Sequence, residues 1–111
     1  MVKQLPDELD AVFSALSDST RRAILEKLGH GASSVSELAE PHDMSLPAIS
    51  KHLRVLENAG LITREVDGRV HRLTLESKSM KDALAWLERY RRFWDAKFDA
   101  LDKILTSPRK Q

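Results

Sequence analysis

Apolar residues recur at helical spacing along most of the chain and change period only once. Leu9, Val12, Phe13 and Leu16 mark a first helix from about Pro6, with Asp7 where a cap belongs. Ala23, Ile24, Leu25 and Leu28 mark a second, opened by Asp18 and stopped at Gly29-His30-Gly31. Ser34-Val35-Ser36-Glu37 has the form of a capping box and predicts a short third helix, which Pro41 ends. After the turn at 41–44, Ser45 caps a fourth helix that admits Pro47 in its first turn. Its inward residues are Ile49, Leu53 and Leu56, and Gly60 is its stop. The period then shortens, for residues 61–66 and 70–75 are β-prone and flank Asp67-Gly68, a strong hairpin signal. From Ser77 or Ser79 the helical period returns and holds to Leu105.

The last helix carries the longest pattern. Met80, Leu84, Leu87, Arg91, Trp94, Phe98, Leu101 and Leu105 alternate in steps of four and three, and seven of these eight are apolar. Five of the six aromatic residues of the chain lie here. The stripe is about 38 Å long at ~1.5 Å per residue, more than a small domain needs to cover itself. Such a surplus points to a partner helix, with Leu9 and Phe13 of the first helix extending the interface and Arg91 either pairing across the dimer axis or setting register. Packing on its own domain, or an aromatic ligand pocket between subunits, are the alternatives. The predicted order is α-α-α-turn-α-β-β-α: mainly helical with a small hairpin wing, a winged helix-turn-helix. One domain accounts for residues 1–111, with its core at 9–76, the long helix at 77–105 and a polar tail at 106–111.

Composition narrows the chemistry. The 111 residues contain no Cys, which removes disulfides, thiolate metal sites and cysteine nucleophiles. No apolar run reaches the ~18 residues of a membrane span and no leader segment is visible, so the cytoplasm is the expected compartment. The net charge of +1 conceals an asymmetry. Residues 7–43 hold eight acids and three bases, while 45–75 hold Lys51, Arg54, Arg64, Arg69 and Arg72 against three acids. A basic stretch of this kind suits nucleic acid or an ordinary solvated surface.

With Ile49, Leu53 and Leu56 inward, the fourth helix turns Pro47, Ser50, Lys51 and Arg54 outward, small at its tip and basic further on. That profile fits a major groove, where Lys and Arg meet bases or phosphates. Ser45 and the first-turn amides suit a phosphate, and His52 either packs or touches the backbone. Arg69 falls beside the hairpin turn with Arg64 and Arg72 on its arms, so the wing would lie along the duplex.

Two stretches resemble a known family. Residues 15–25, Ala-Leu-Ser-Asp-Ser-Thr-Arg-Arg-Ala-Ile-Leu, and 45–62, from Ser45 through Ser50-Lys51-His52-Leu53 to Ala59-Gly60-Leu61-Ile62, are similar to the ArsR-type winged-helix repressors. The likeness extends over roughly Leu9 to Leu105. It implies a homodimer that binds double-stranded DNA, usually represses its own operon and responds to an effector. Three positions depart from the family pattern. Ser19 replaces a proline. Pro41-His42-Asp43 replaces a leucine-glycine pair, which predicts a left-handed Asp43. Leu46 stands where a glutamine is frequent.

Metal-sensing members have two cysteines flanking a valine, where this chain has Ser34 and Ser36 around Val35, and hydroxyls are poor ligands for soft cations. The family's second metal site uses histidines and acids of the last helix, and residues 80–105 contain no histidine. No metal or cofactor is therefore expected. Signatures of catalysis are missing as well, so an enzyme is not predicted. The rival function is a winged-helix protein-interaction module that uses the aromatic last helix.

Overall fold

The computed structural model describes residues 4–106, with side chains from residue 8. The elements run α1 (Gln4–Leu16), α2 (Ser19–Leu28), β1 (Ser33–Ser34), α3 (Val35–Ala39), α4 (Leu46–Asn58), β2 (Ile62–Asp67), β3 (Val70–Leu75) and α5 (Lys78–Thr106). The expected tail, apart from Thr106, lies outside the described residues, and Thr106 itself closes α5.

Local chemistry sets most boundaries. Asp18 caps α2 by accepting the Arg21 amide at 3.1 Å. Ser34 and Glu37 form the reciprocal capping box of α3, at 3.2 and 2.8 Å. The Ser45 hydroxyl accepts from the Ala48 amide at 3.2 Å and opens α4. Gly60, at φ +76, takes the left-handed position that ends this helix. A Cβ there would also run into the Ser79 hydroxyl, because the exit of α4 abuts the start of α5.

Four expectations are corrected. Helix α1 already begins at Gln4, so Asp7 lies within it rather than at its cap. Asp43 is not left-handed, since only glycines have positive φ among the described residues. The sheet has three strands in the order β1-β3-β2, because Ser33 and Ser34 pair with Leu73 and Arg72. The hairpin turn falls one residue later than expected. Asp67 pairs with Val70, which leaves Gly68 and Arg69 as the loop, with Gly68 at φ +65 as a type II′ turn requires.

Ile24, Leu38, Ile49, Leu53, Leu56, Leu61 and Leu73 are fully buried, so the core joins α2, α3, α4 and the sheet base. Val12 and Ala15 of α1 and Ala83 of α5 close it. Leu9, Phe13 and Met80 pack against its edge, and Phe13 meets Trp86 edge-on at 5.9 Å. Beyond that contact α5 leaves the body. Every residue from Leu87 to Thr106 is exposed, including Tyr90, Phe93, Trp94, Phe98, Leu101, Ile104 and Leu105. No described helix is long and apolar enough to cross a membrane.

Candidate nucleic-acid interface

Burial of Ile49, Leu53 and Leu56 fixes the rotation of α4, and with it the outward face. Pro47, Lys51 and Arg54 are exposed in one i, i+4, i+7 stripe, with Leu46 beside them at the tip. Neither Lys51 nor Arg54 forms an ion pair among the described residues. Ser45 is exposed, and its hydroxyl is engaged as the cap. Ser50 is half-buried and turns toward the wing rather than along the stripe.

His52 faces the other way. Its Nδ1 lies 3.1 Å from Arg21 Nη1 and 3.7 Å from Asp18 Oδ2. Arginine can only donate, so Nδ1 accepts and the ring proton resides on Nε2. Arg21 also donates through Nε to the Ala15 carbonyl at 2.7 Å and through Nη2 to the Ser14 carbonyl at 2.9 Å. One guanidinium therefore ties the end of α1, the start of α2 and the middle of α4. The Arg21 amide holds the Asp18 carboxyl below its ordinary pKa, and the nearby Arg21 charge adds to the effect.

A second arginine ties α4 to the wing. Arg64 donates to Glu57 through Nε at 3.0 Å and Nη2 at 2.8 Å, and through Nη1 to His71 Nδ1 at 3.0 Å. All three guanidinium nitrogens are engaged within the chain. The pair is half-buried, and hydrogen bonding is the main cause of its shifts: the Glu57 carboxyl is lowered and Arg64 raised. Arg69 at the tip and Arg72 on β3 are exposed, with no ion pair among the described residues. The wing leans toward α4, so Ser50, Arg64, Arg69 and His71 border one cleft of about 410 Å³ with the first residues of α3.

The sequence therefore placed Pro47, Lys51, Arg54, Arg69 and Arg72 on exposed surface, while the structure turns His52 and Arg64 inward. Arg21 and Glu57 were missed. Arg21 meets His52 across 31 positions, and no local pattern signals such a pair. Glu57 and Arg64 are seven apart with the Gly60 turn between them.

On α5, Leu84, Leu87, Tyr90, Trp94, Phe98, Leu101 and Leu105 are exposed. Arg91 pairs within its own helix, with Glu88 at 3.2 Å and Asp95 at 3.5 Å. Leu9 and Phe13 are partly used by the chain's own core.

The Glu57–Arg64 bracket has a testable pH signature. A carboxyl lowered by folding stabilises fully above its ordinary value of 4.5, and that contribution is lost as pH falls through its folded pKa. Glu57→Gln is expected to cost about 1 kcal/mol near neutral pH. The gap from the parent, followed by thermal melts, should narrow as the pH falls below 4.5.

A short helix, a turn, a second helix with a free cationic stripe and an adjoining basic wing define a winged helix-turn-helix DNA-binding domain. A helix-turn-helix domain model matches residues 16–65. The HTH-type transcriptional regulator Rv2034 of Mycobacterium tuberculosis is 47% identical over 66 residues, 58% of this chain and 62% of that protein. The transcriptional repressor SdpR of Bacillus subtilis is 34% identical over 79 residues, 71% of this chain and 88% of that protein. The solved ArsR-like transcriptional regulator from Rhodococcus sp. RHA1 superposes with a TM-score of 0.70 at 37% identity, covering 92% of this chain and 96% of that one. The chain belongs to the ArsR-type family of winged-helix transcriptional regulators.

Proposed function

We propose that the chain acts as a homodimeric repressor on an inverted-repeat operator in the cytoplasm, by binding rather than catalysis. The observation that carries this reading is the exposed, unpaired Lys51–Arg54 stripe on α4, presented beside the wing. Two such helices, related by a two-fold axis, would enter successive major grooves about one helical turn apart. Ser45 and Pro47 sit at the tip that enters first. Lys51 and Arg54 supply base or phosphate contacts, and Arg69 and Arg72 follow the backbone from the wing. His52 and Arg64 act indirectly, by holding α4 and the wing in place. The two-fold contact is made by the uncovered half of α5, through Leu84, Leu87, Tyr90, Trp94, Phe98, Leu101 and Leu105.

Selection of bound sites from random duplex DNA tests the proposal. An enriched inverted repeat, with affinity that falls steeply with salt, is the expected result. Absence of any enriched sequence would overturn it in favour of a protein-interaction module.

Metal is not expected to be the effector. The Ser34 hydroxyl is already engaged as the α3 cap, and Ser36 is the only other side chain at the matching positions. A ligand shifts an equilibrium only by its differential affinity for the two states. Zinc, cadmium and arsenite should thus leave operator affinity unchanged, and a tenfold loss at stoichiometric zinc would refute this.

A further inference from the structure

The cleft between the wing and α4 has a composition that the recognition stripe does not explain. Ser36, Ser50, Arg69 and His71 line it, Arg64 closes one side, and no carboxylate borders it among the described residues. Two acids near this wall are engaged by the chain itself, Glu57 on the Arg64 guanidinium and Glu37 on the Ser34 amide. His71 is the informative residue. Arg64 donates to its Nδ1 at 3.0 Å, which leaves Nε2 as the ring nitrogen that carries the proton. The neutral ring is thus fixed as a hydrogen-bond donor. The cleft wall then offers two hydroxyls, one imidazole N–H and the Arg69 cation, which is a donor set for an oxyanion.

We infer that this cleft is a phosphate seat, and that it takes one backbone phosphate of the bound duplex per protomer. The inference rests on the DNA-binding reading and deepens it. The source follows from position, for the cleft opens between α4 and the wing tip, the two elements that would straddle one strand. Its volume of about 410 Å³ leaves room for a phosphodiester and the sugars on either side. Ser50, His71 and Arg69 touch the phosphate oxygens, while Glu57 and Arg64 are positioning residues that act through His71. The assignment explains why the half-buried Ser50 faces away from the basic stripe.

The experiment is a methylphosphonate scan of the selected operator, in which single backbone phosphates are neutralised, measured with the parent, His71→Ala, His71→Gln and Arg54→Ala. One neutralised position per half-site should cost the parent about tenfold and His71→Ala almost nothing further. Glutamine can place an amide N–H near the position of Nε2, so His71→Gln should recover most of the affinity and the sensitivity to that position. If His71→Ala binds like the parent, or loses affinity while every position stays equally costly, the seat is overturned. In either case a weakened Arg54→Ala leaves the DNA-binding reading intact. If Arg54→Ala also binds like the parent, that reading fails separately. A third arm titrates inorganic phosphate into the DNA-free protein and follows the His71 ring by NMR. Shifts at low millimolar phosphate with no phosphate-specific coupling in the scan would assign the cleft to a free anion and overturn the backbone source.

Discussion

A protein carrying Trp94→Ala and Phe98→Ala is expected to sediment as a monomer at micromolar concentration, where the parent sediments as a dimer. The two rings are 40% and 58% exposed and stand 5.7 Å apart on the half of α5 that no other described residue covers. Each large aromatic presents ~150–250 Å² in full. The exposed portions therefore come to about 100 Å² apiece, or about 400 Å² over four side chains in a dimer. At ~25 cal/mol per Å² the gross loss approaches about 10 kcal/mol, an upper bound because not all of that area is covered. Even a third of it weakens association by more than about a hundredfold, at 1.4 kcal/mol per factor of ten. The core residues Ile24, Leu53 and Leu73 lie far along the chain from these rings and are untouched, so a cooperative thermal transition should survive. The freed half of α5 should lose part of its signal in circular dichroism, because helical stability in proteins comes mostly from packing of an apolar face, which that half would then lack. A double variant that remained a dimer would place the subunit contact elsewhere.

Arg54→Ala and Arg69→Ala should weaken operator binding in different ways. Arg54 projects from the middle of α4 with its guanidinium unpaired, whereas Arg69 occupies the second loop position of the hairpin. A bidentate contact to guanine carries ~1–3 kcal/mol of discrimination, roughly tenfold to a hundredfold. Loss of Arg54 should therefore lower affinity by that amount and relax the preference at one position of each half-site. Loss of a phosphate contact is sequence-independent and lowers the salt slope by about one. Arg69→Ala should thus bind all sequences more weakly, and the ranking of sites should not change. Parallel titrations over a salt series, on the selected operator and on single-base variants, separate the two patterns. Equal affinity of both variants and the parent would remove these residues from the interface.

What the sequence made legible is what short-range chemistry decides. Ser34, Ser45 and Asp18 announce helix starts because a cap is satisfied within three residues, and Gly60 announces a stop because a left-handed position favours glycine. The inward set Ile49, Leu53 and Leu56 follows from period alone. Features that depend on distant segments were hidden. Strand β1 is two serines with no alternation to detect, and exists only because β3 passes beside it. Arg64 looked like an outward cation by position, and His52 was open between packing and a backbone contact, but each finds a partner that spacing does not disclose. The turn at residues 68–69 slipped by one because Asp67-Gly68 and Gly68-Arg69 both contain the glycine that such a loop needs.

The sheet order β1-β3-β2 grades the stiffness of the wing along its length. At its base β3 is hydrogen-bonded on both sides, to β2 and, through Leu73 and Arg72, to β1. Past Arg72 that second neighbour ends, and only the β2–β3 ladder carries the outer residues to Gly68 and Arg69. The base is clamped further by Arg64 and Glu57, while Val66 and Val70 near the tip are exposed. The wing is thus a cantilever, rigid where it meets α4 and compliant at the tip, which in the proposed complex would lie along the duplex. A compliant tip follows the local groove width instead of imposing one. Operators of differing stiffness in their flanks would then be accommodated by the protein rather than by bending of the DNA.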